Sequence, residues 1–78
     1  ILNAFAFSEP PNGSPNPAVQ HVLVQGDANV PATWTTRTYT FTTAADVSGG
    51  LSLLIELVGG GATTTGTIFI DNVSLKRQ

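Results

Sequence analysis

The segment that most restricts the fold is residues 33–43, "TWTTRTYTFTT", in which side chains of two kinds alternate along the chain. Arg37, Tyr39 and Phe41 fall on one side of an extended backbone, and threonines fall on the other. A repeat of two residues matches a β-strand, whereas the faces of a helix repeat every 3.6 residues. Threonine and aromatic residues also favour strands. The segment therefore predicts a strand.

The rest of the chain consists of short apolar or alternating runs separated by clusters of Gly, Pro and Asn. These runs predict strands at residues 1–7, 18–25, 33–43, 51–58 and 67–76. A proline-rich loop at 8–17 and a glycine-rich hairpin loop at 59–66 lie between them. Five such strands predict one all-β domain over residues 1–78, an antiparallel β-sandwich or jelly roll. Because 51–58 has apolar residues on both faces, we expect it to be largely buried.

Composition excludes several classes of function. The chain of 78 residues has five acidic and three basic residues, so it lacks the basic patch that nucleic-acid binding requires. Its longest apolar run, residues 51–58, is far shorter than the roughly 18 residues of a membrane helix. Many threonines, few charges and no cysteine are typical of an extracellular, cell-surface or virion-surface β protein. We therefore predict no nucleic-acid partner and no membrane insertion.

The final predicted strand contains an irregularity at Asp71 and Asn72. Ile68 and Ile70 share one face, but Val73 and Leu75 follow after an odd step and would face the other side of a regular strand. A β-bulge at Asp71–Asn72 would bring all four apolar residues to one face. Asp71 then has two interpretations: it accepts hydrogen bonds from neighbouring backbone amides, or it binds a cation such as calcium.

The order of these motifs resembles the C-terminal part of a carbohydrate-binding module of the galactose-binding-like jelly-roll type, as appended to xylanases and glucanases. The resemblance is carried by Trp34, Tyr39 and Phe41, then by the apolar run 51–57, then by "IFIDNVSL" at 68–75. It implies glycan binding without catalysis. In many members the final-strand aspartate, here Asp71, helps to form a structural calcium site.

The resemblance also implies that part of the sandwich lies outside these residues. Members of the family begin with a segment similar to Asn-Gly-x-Phe-Glu and then a Trp-containing strand, and nothing here matches either. Strands without neighbours expose backbone donors and acceptors, and apolar strands of this kind aggregate. We therefore expect a missing N-terminal segment or other chains, in an oligomer, to complete the sheets.

Several side chains are candidates for carbohydrate contact. Aromatic rings stack on the C–H faces of sugars, and planar polar groups bind the hydroxyls. The candidates are Trp34, Arg37, Tyr39, Gln20, His21 and Gln25. The chain has one histidine, no cysteine and five scattered acids, so neither a catalytic triad nor a glycosidase carboxylate pair is indicated, and we predict that it is not an enzyme.

Three functions remain after these exclusions, of which the third is the accessory part of a glycoside hydrolase. The first is a non-catalytic carbohydrate-binding module, or part of one, that tethers a larger protein or assembly to a glycan surface. The second is a structural β-domain of a surface fibre or virion that assembles by strand pairing with neighbouring chains. A structural calcium ion is compatible with the first.

Overall fold

The computed structural model describes residues 1–58 and 68–77. They form one antiparallel sheet of three strands, β1 (Leu2–Glu9), β2 (Val19–Asp27) and β3 (Gly50–Leu57). The order across the sheet is β2-β1-β3, so the first strand is the central one. Within these residues there is no helix, and therefore none long and apolar enough to cross a membrane. The predicted all-β antiparallel class is confirmed for the described part of the chain.

The core is centred on β1 because this strand alone has a neighbour on both edges. Ala4, Phe5, Ala6 and Ser8 are its buried residues. Phe5 is 6% exposed and lies between Val22 of β2 and Leu54 of β3, which are its partners in register. Ala4 and Ala6 lie on the face of the sheet opposite to Phe5. Their small side chains leave room on that face for larger neighbouring residues.

The β1–β3 pairing is regular along its whole length, from Leu2 opposite Leu57 to Glu9 opposite Gly50. Paired residues share a face of the sheet, so the even-numbered residues of β1 share one face with a row of four apolar residues. We call this row the β3 aliphatic row: Leu51, Leu53, Ile55 and Leu57. These four side chains are 38–45% exposed, so the prediction that 51–58 is largely buried is wrong. Nothing among the described residues packs closely enough on the row to cover it.

The β1–β2 pairing is irregular at two places. Phe5 pairs with Val22 and Ala4 with Val24, so Leu23 is an extra residue, and a second shift separates Ala4 from Leu2. The second shift lies beside Gly26, whose φ of 74° is in the left-handed region that glycine adopts without a steric penalty. Such bulges bend and twist the strand that contains them.

The predicted strands at 1–7, 18–25 and 51–58 correspond to β1, β2 and β3. β1 continues through Ser8 and Glu9, so the predicted loop 8–17 begins later than expected. Within that loop the Asn12–Gly13 turn is confirmed: Ser14 donates its backbone N–H to Pro11 (3.0 Å), and Gly13 has a φ of 87°. The predicted hairpin loop 59–66 lies outside the described residues.

The predicted strands at 33–43 and 67–76 are wrong for the residues the structure describes. Neither 33–43 nor 68–77 pairs with a strand, although both contain good strand formers. Trp34 and Phe69 are 74% and 77% exposed. Alternation makes a segment suitable for a sheet, but only a partner strand satisfies its backbone hydrogen bonds. The described chain is therefore a single sheet, and the sandwich or jelly roll stays a prediction.

The predicted bulge at Asp71 and Asn72 is absent, because residues 68–77 contain no ladder for a bulge to interrupt. Asn72 has a φ of 54°, a left-handed conformation that asparagine tolerates better than most residues. Its backbone N–H donates to Oδ1 of Asp71 at 2.8 Å. The hydrogen bond predicted between Asp71 and a neighbouring amide is thus present.

Candidate functional site

An open cleft of about 1430 Å³ lies beside the sheet. Ala4, Leu53 and Ile55 line it from one face of the sheet, and Leu23 and Val24 line it from the bulged part of β2. Two non-strand segments form the other sides, residues 30–39 with Phe41, and residues 68–77. The floor is therefore apolar, whereas the two segments contribute aromatic, hydroxyl and charged side chains.

Two of the predicted carbohydrate-binding aromatics, Trp34 and Tyr39, line this cleft. Trp34 is 74% exposed and Tyr39 is 38% exposed, so both rings present surface to solvent. A large exposed aromatic is costly to keep in water and gains free energy when a ligand covers it. The arrangement can therefore supply stacking surfaces for a flat or elongated apolar face.

Arg37 lies between these two aromatics in sequence and lines the same cleft. Its Nη1 donates to Oδ2 of Asp27 at the end of β2, and its Nη2 donates to the carbonyl of Asn29 at 3.5 Å. Asp27 in turn accepts the backbone N–H of Asn29 through Oδ1 (2.8 Å). The ion pair fixes the segment that carries Trp34 and Tyr39 to the end of the sheet.

This pairing shifts the titration of both partners. The hydrogen bond to Asp27 raises the pKa of Arg37, and the Tyr39 hydroxyl raises it further by a smaller amount. The hydrogen bonds from Arg37 and from the Asn29 amide lower the pKa of Asp27. Both groups are therefore charged at neutral pH, and their charges compensate each other. An incoming ligand meets a planar donor and acceptor pair with no net charge.

A second anchor holds the connecting segment 28–49 to the sheet through Ser8, which is fully buried. Its Oγ lies 2.7 Å from Nε2 of His21 and accepts the backbone N–H of Ala44 at 3.0 Å. The His21 ring also packs against Phe41, with ring centroids 5.3 Å apart. Since Ser8 is inaccessible, this serine–histidine pair acts as a structural contact, and no substrate can reach the hydroxyl.

The remaining candidates are dispersed. The cleft brings together Trp34, Arg37, Tyr39 and Asp71, but it does not include Gln20, His21 or Gln25. Gln20 and Gln25 are exposed on β2, and His21 contacts Ser8 and Phe41. Asp27 belongs to the site through Arg37, yet sequence reasoning did not select it. The only feature of the sequence that points to Asp27 is the opposite charge of Arg37, ten residues later. Outside a helix or a strand, such a spacing does not predict that two side chains meet.

Asp71 lies at the margin of the cleft with one carboxylate oxygen bound to the Asn72 amide. Calcium requires six to eight oxygen ligands. No group of three or more His, Asp or Glu residues occurs within 1–58 and 68–77. Among the described residues Asp71 is thus not joined by two further acidic or histidine ligands, and the cation stays a prediction.

No protein-family model, curated protein or solved structure matches this chain. The resemblance to carbohydrate-binding modules therefore rests on the motif residues alone.

Proposed function

We propose that the chain is a non-catalytic carbohydrate-binding module, or part of one, that tethers a larger protein or assembly to a glycan at an extracellular, cell or virion surface. The observation that carries this proposal is the shared cleft of Trp34, Tyr39 and the Arg37–Asp27 pair. Exposed rings and a neutralised planar polar pair are the chemical groups that recognise a sugar with C–H faces and hydroxyls.

The electrostatics favour a neutral polysaccharide as the ligand. The net charge of the chain is −2, and the positive charge of Arg37 is already compensated by Asp27. Lys76 and Arg77 also line the cleft, and together with Asp71 and the Arg37–Asp27 pair they give the site about one net positive charge, too little to select a polyanionic glycan. Binding would therefore depend on stacking and hydrogen bonding, and it would change little with salt concentration.

Affinity electrophoresis and calorimetry with soluble xylan and a mixed-linkage β-glucan test this proposal. We expect Trp34→Ala to weaken retention by about tenfold or more, because covering one aromatic ring contributes roughly 1.5 kcal/mol or more. Val19→Ala is the matched control, since Val19 is 46% exposed and lies on β2 outside the cleft. Equal retention of both variants, or no retention of the wild type by any neutral glycan tested, would contradict carbohydrate binding at this cleft.

A structural β-domain that assembles by strand pairing is the second candidate. It is favoured by the exposed β3 aliphatic row, which lies on an edge strand that nothing in the described chain covers. Glycan retention tests the first function and oligomeric state tests the second, so each can fail independently of the other.

A further inference from the structure

The structure leaves β3 as an edge strand of unusual regularity. Among the described residues its outer side pairs with no other strand. It contains no proline and one charged residue, Glu56, and its register with β1 has no bulge. The opposite edge, β2, is interrupted by two register shifts, one of them beside Gly26, whereas the one positive φ of β3, at Gly50, is confined to its first residue. Bulges protect an edge from pairing with another chain, so β2 is protected and β3 is not.

The orientation of the backbone groups of β3 follows from one contact at its end. Ile1 and Val58 exchange both backbone hydrogen bonds, from Ile1 N to Val58 O (3.0 Å) and from Val58 N to Ile1 O (2.8 Å). Hydrogen-bonded and non-hydrogen-bonded pairs alternate along an antiparallel ladder. Every second residue from Val58 therefore turns its N–H and C=O toward β1, including Glu56, Leu54 and Ser52. The outward groups belong to the β3 aliphatic row.

From this arrangement we propose that β3 pairs antiparallel with β3 of a second copy of the chain, with Leu54 opposite Leu54 on the two-fold axis. In this register Leu51 faces Leu57 of the second copy, and Leu53 faces its Ile55. All four outward-turned residues then find partners, giving about eight ladder hydrogen bonds. The two sheets become one six-stranded sheet, and the two aliphatic rows form one continuous face.

Other registers are less favourable for physical reasons. A shift by one residue would place a residue whose N–H and C=O point outward opposite one whose N–H and C=O point toward β1, so the ladder hydrogen bonds could not form. It would also place the aliphatic row of one copy on the opposite face of the combined sheet from the row of the other copy. A shift that places Glu56 opposite Glu56 would oppose two carboxylates, which is destabilising. In the proposed register Glu56 faces Ser52 of the second copy, which carries no charge.

The pairing does not depend on carbohydrate binding, because β3 contributes only part of the cleft floor and neither aromatic. It gives the strand-pairing function a specific edge, partner and register. Loss of pairing in a variant would leave the carbohydrate proposal untouched, and loss of glycan retention would leave the pairing untouched.

Cysteine cross-linking tests the register directly, because the chain has no cysteine of its own. Opposed residues in antiparallel strands have Cα atoms about 4.5–5.5 Å apart, within the range that a disulfide spans. Under mild oxidation with oxidised glutathione, Leu54→Cys should form a covalent dimer. Ser52→Cys and Glu56→Cys should each cross-link poorly alone but should cross-link to each other when mixed. Val22→Cys is the control, since Val22 pairs with Phe5 from the protected edge and is similarly exposed.

Sedimentation equilibrium over the micromolar range provides a second readout. The wild type should dimerise, Leu54→Glu should be monomeric because two carboxylates would meet on the axis, and Val22→Glu should dimerise. Mixing Leu54→Glu with Leu54→Lys should restore the dimer through opposite charges. A wild type that is monomeric up to about 100 μM would overturn the proposal. This holds also if residues 68–76 of the same chain are what covers the outer edge of β3. Cross-linking of Leu54→Cys no faster than that of Val22→Cys would also overturn it.

Discussion

Oγ of Ser8 and Nε2 of His21 lie 2.7 Å apart, joining the central strand to β2 beneath the segment that carries Phe41 and Ala44. The serine hydroxyl can donate to the imidazole while it accepts the Ala44 amide. This small polar contact is one of the points at which the long connection 28–49 is tied to β1. Its loss should therefore affect the whole molecule and not only the local loop.

Ser8→Ala should lower the free energy of unfolding by about 1–3 kcal/mol, because the Ala44 amide and the His21 ring lose a buried partner. Chemical denaturation followed by tryptophan fluorescence measures this change. Ser52→Ala is the control: Ser52 is exposed on β3 and donates only to Glu9 (3.2 Å), so its change should stay within about 0.5 kcal/mol. Equal effects of the two substitutions would mean that the Ser8 contact has no special role.

Asn3→Asp should destabilise the sheet by about 1–2 kcal/mol at neutral pH. The Asn3 side chain accepts the Gly26 amide through Oδ1 (2.8 Å) and donates through Nδ2 to Oε1 of Glu56 (3.0 Å). Aspartate at position 3 can still accept the Gly26 amide, but it places a second carboxylate opposite Glu56. Protonation of one carboxylate of this pair below about pH 4 should remove the repulsion between them. Thermal unfolding at pH 7 and pH 3.5 measures the effect.

Asn12→Asp is the control for that substitution, because it adds the same charge in the exposed turn of the proline-rich loop. It should cost little at either pH. If Asn3→Asp loses as much stability at pH 3.5 as at pH 7, charge repulsion is not the cause.

Acid should weaken the fold through Asp27 and Asp46. Hydrogen bonds from Arg37 to Asp27 and from Ser48 to Asp46 lower the pKa of each carboxyl group in the folded chain. A lowered folded pKa gives stability that is complete above the unfolded pKa, near 3.9, and is lost as the pH falls through the folded pKa. The melting temperature should therefore decline below about pH 4.

The double variant Asp27→Asn with Asp46→Asn isolates these two groups. It should start from a lower melting temperature at pH 7, and its curve should decline less steeply in acid than that of the wild type. Two curves of the same slope between pH 5 and pH 2.5 would assign the acid sensitivity to other carboxyl groups.

Gly49→Ala should disrupt the approach to β3. A methyl group at this position would lie 2.0 Å from the carbonyl oxygen of Pro10, which is backbone and cannot move aside. Gly49 also donates its N–H to the Glu9 carbonyl at 3.0 Å. We expect a loss of more than 2 kcal/mol in denaturant unfolding, within the range of severe substitutions.

Gly13→Ala is the comparison for that loss. Gly13 has a positive φ, but a methyl group there meets no atom within 4 Å. Alanine at this position should therefore show only the backbone strain of about 1–2 kcal/mol. A Gly49→Ala variant no less stable than Gly13→Ala would show that the backbone at residues 9–10 moves freely.

The sequence predicted the three strands that pair, because their patterns and their turn signals agree. It placed β2 and β3 within about two residues, and the Asn12–Gly13 turn was recognisable from its residue types. Segments 33–43 and 68–76 show the limit of this reasoning: their patterns suit strands, but partner availability decides pairing, and alternation contains no information about partners. The same limit explains why 51–58 was expected to be buried.

The fold brings some of the candidate residues together and separates others. Trp34, Arg37 and Tyr39 were selected for their chemistry, and the fold brings them to one cleft. His21 was selected for the same reason, but its short side chain is held by Ser8 and Phe41, a contact between distant parts of the chain that no local pattern reveals. Asp27 was missed because its ion pair with Arg37 forms only if the segment that follows β2 turns back toward the end of that strand.

The position of β1 at the centre of the sheet also matters while the protein is being synthesised. β2 leaves the ribosome soon after β1 and can form a hairpin with it, but the other edge of β1 has no partner until β3 has been translated. At ordinary elongation rates the roughly thirty residues from Asp27 to Leu57 take about two to six seconds. Throughout that interval the nascent chain presents the Phe5 strand with one edge unpaired, so its backbone donors and acceptors on that side are open to pairing with another chain.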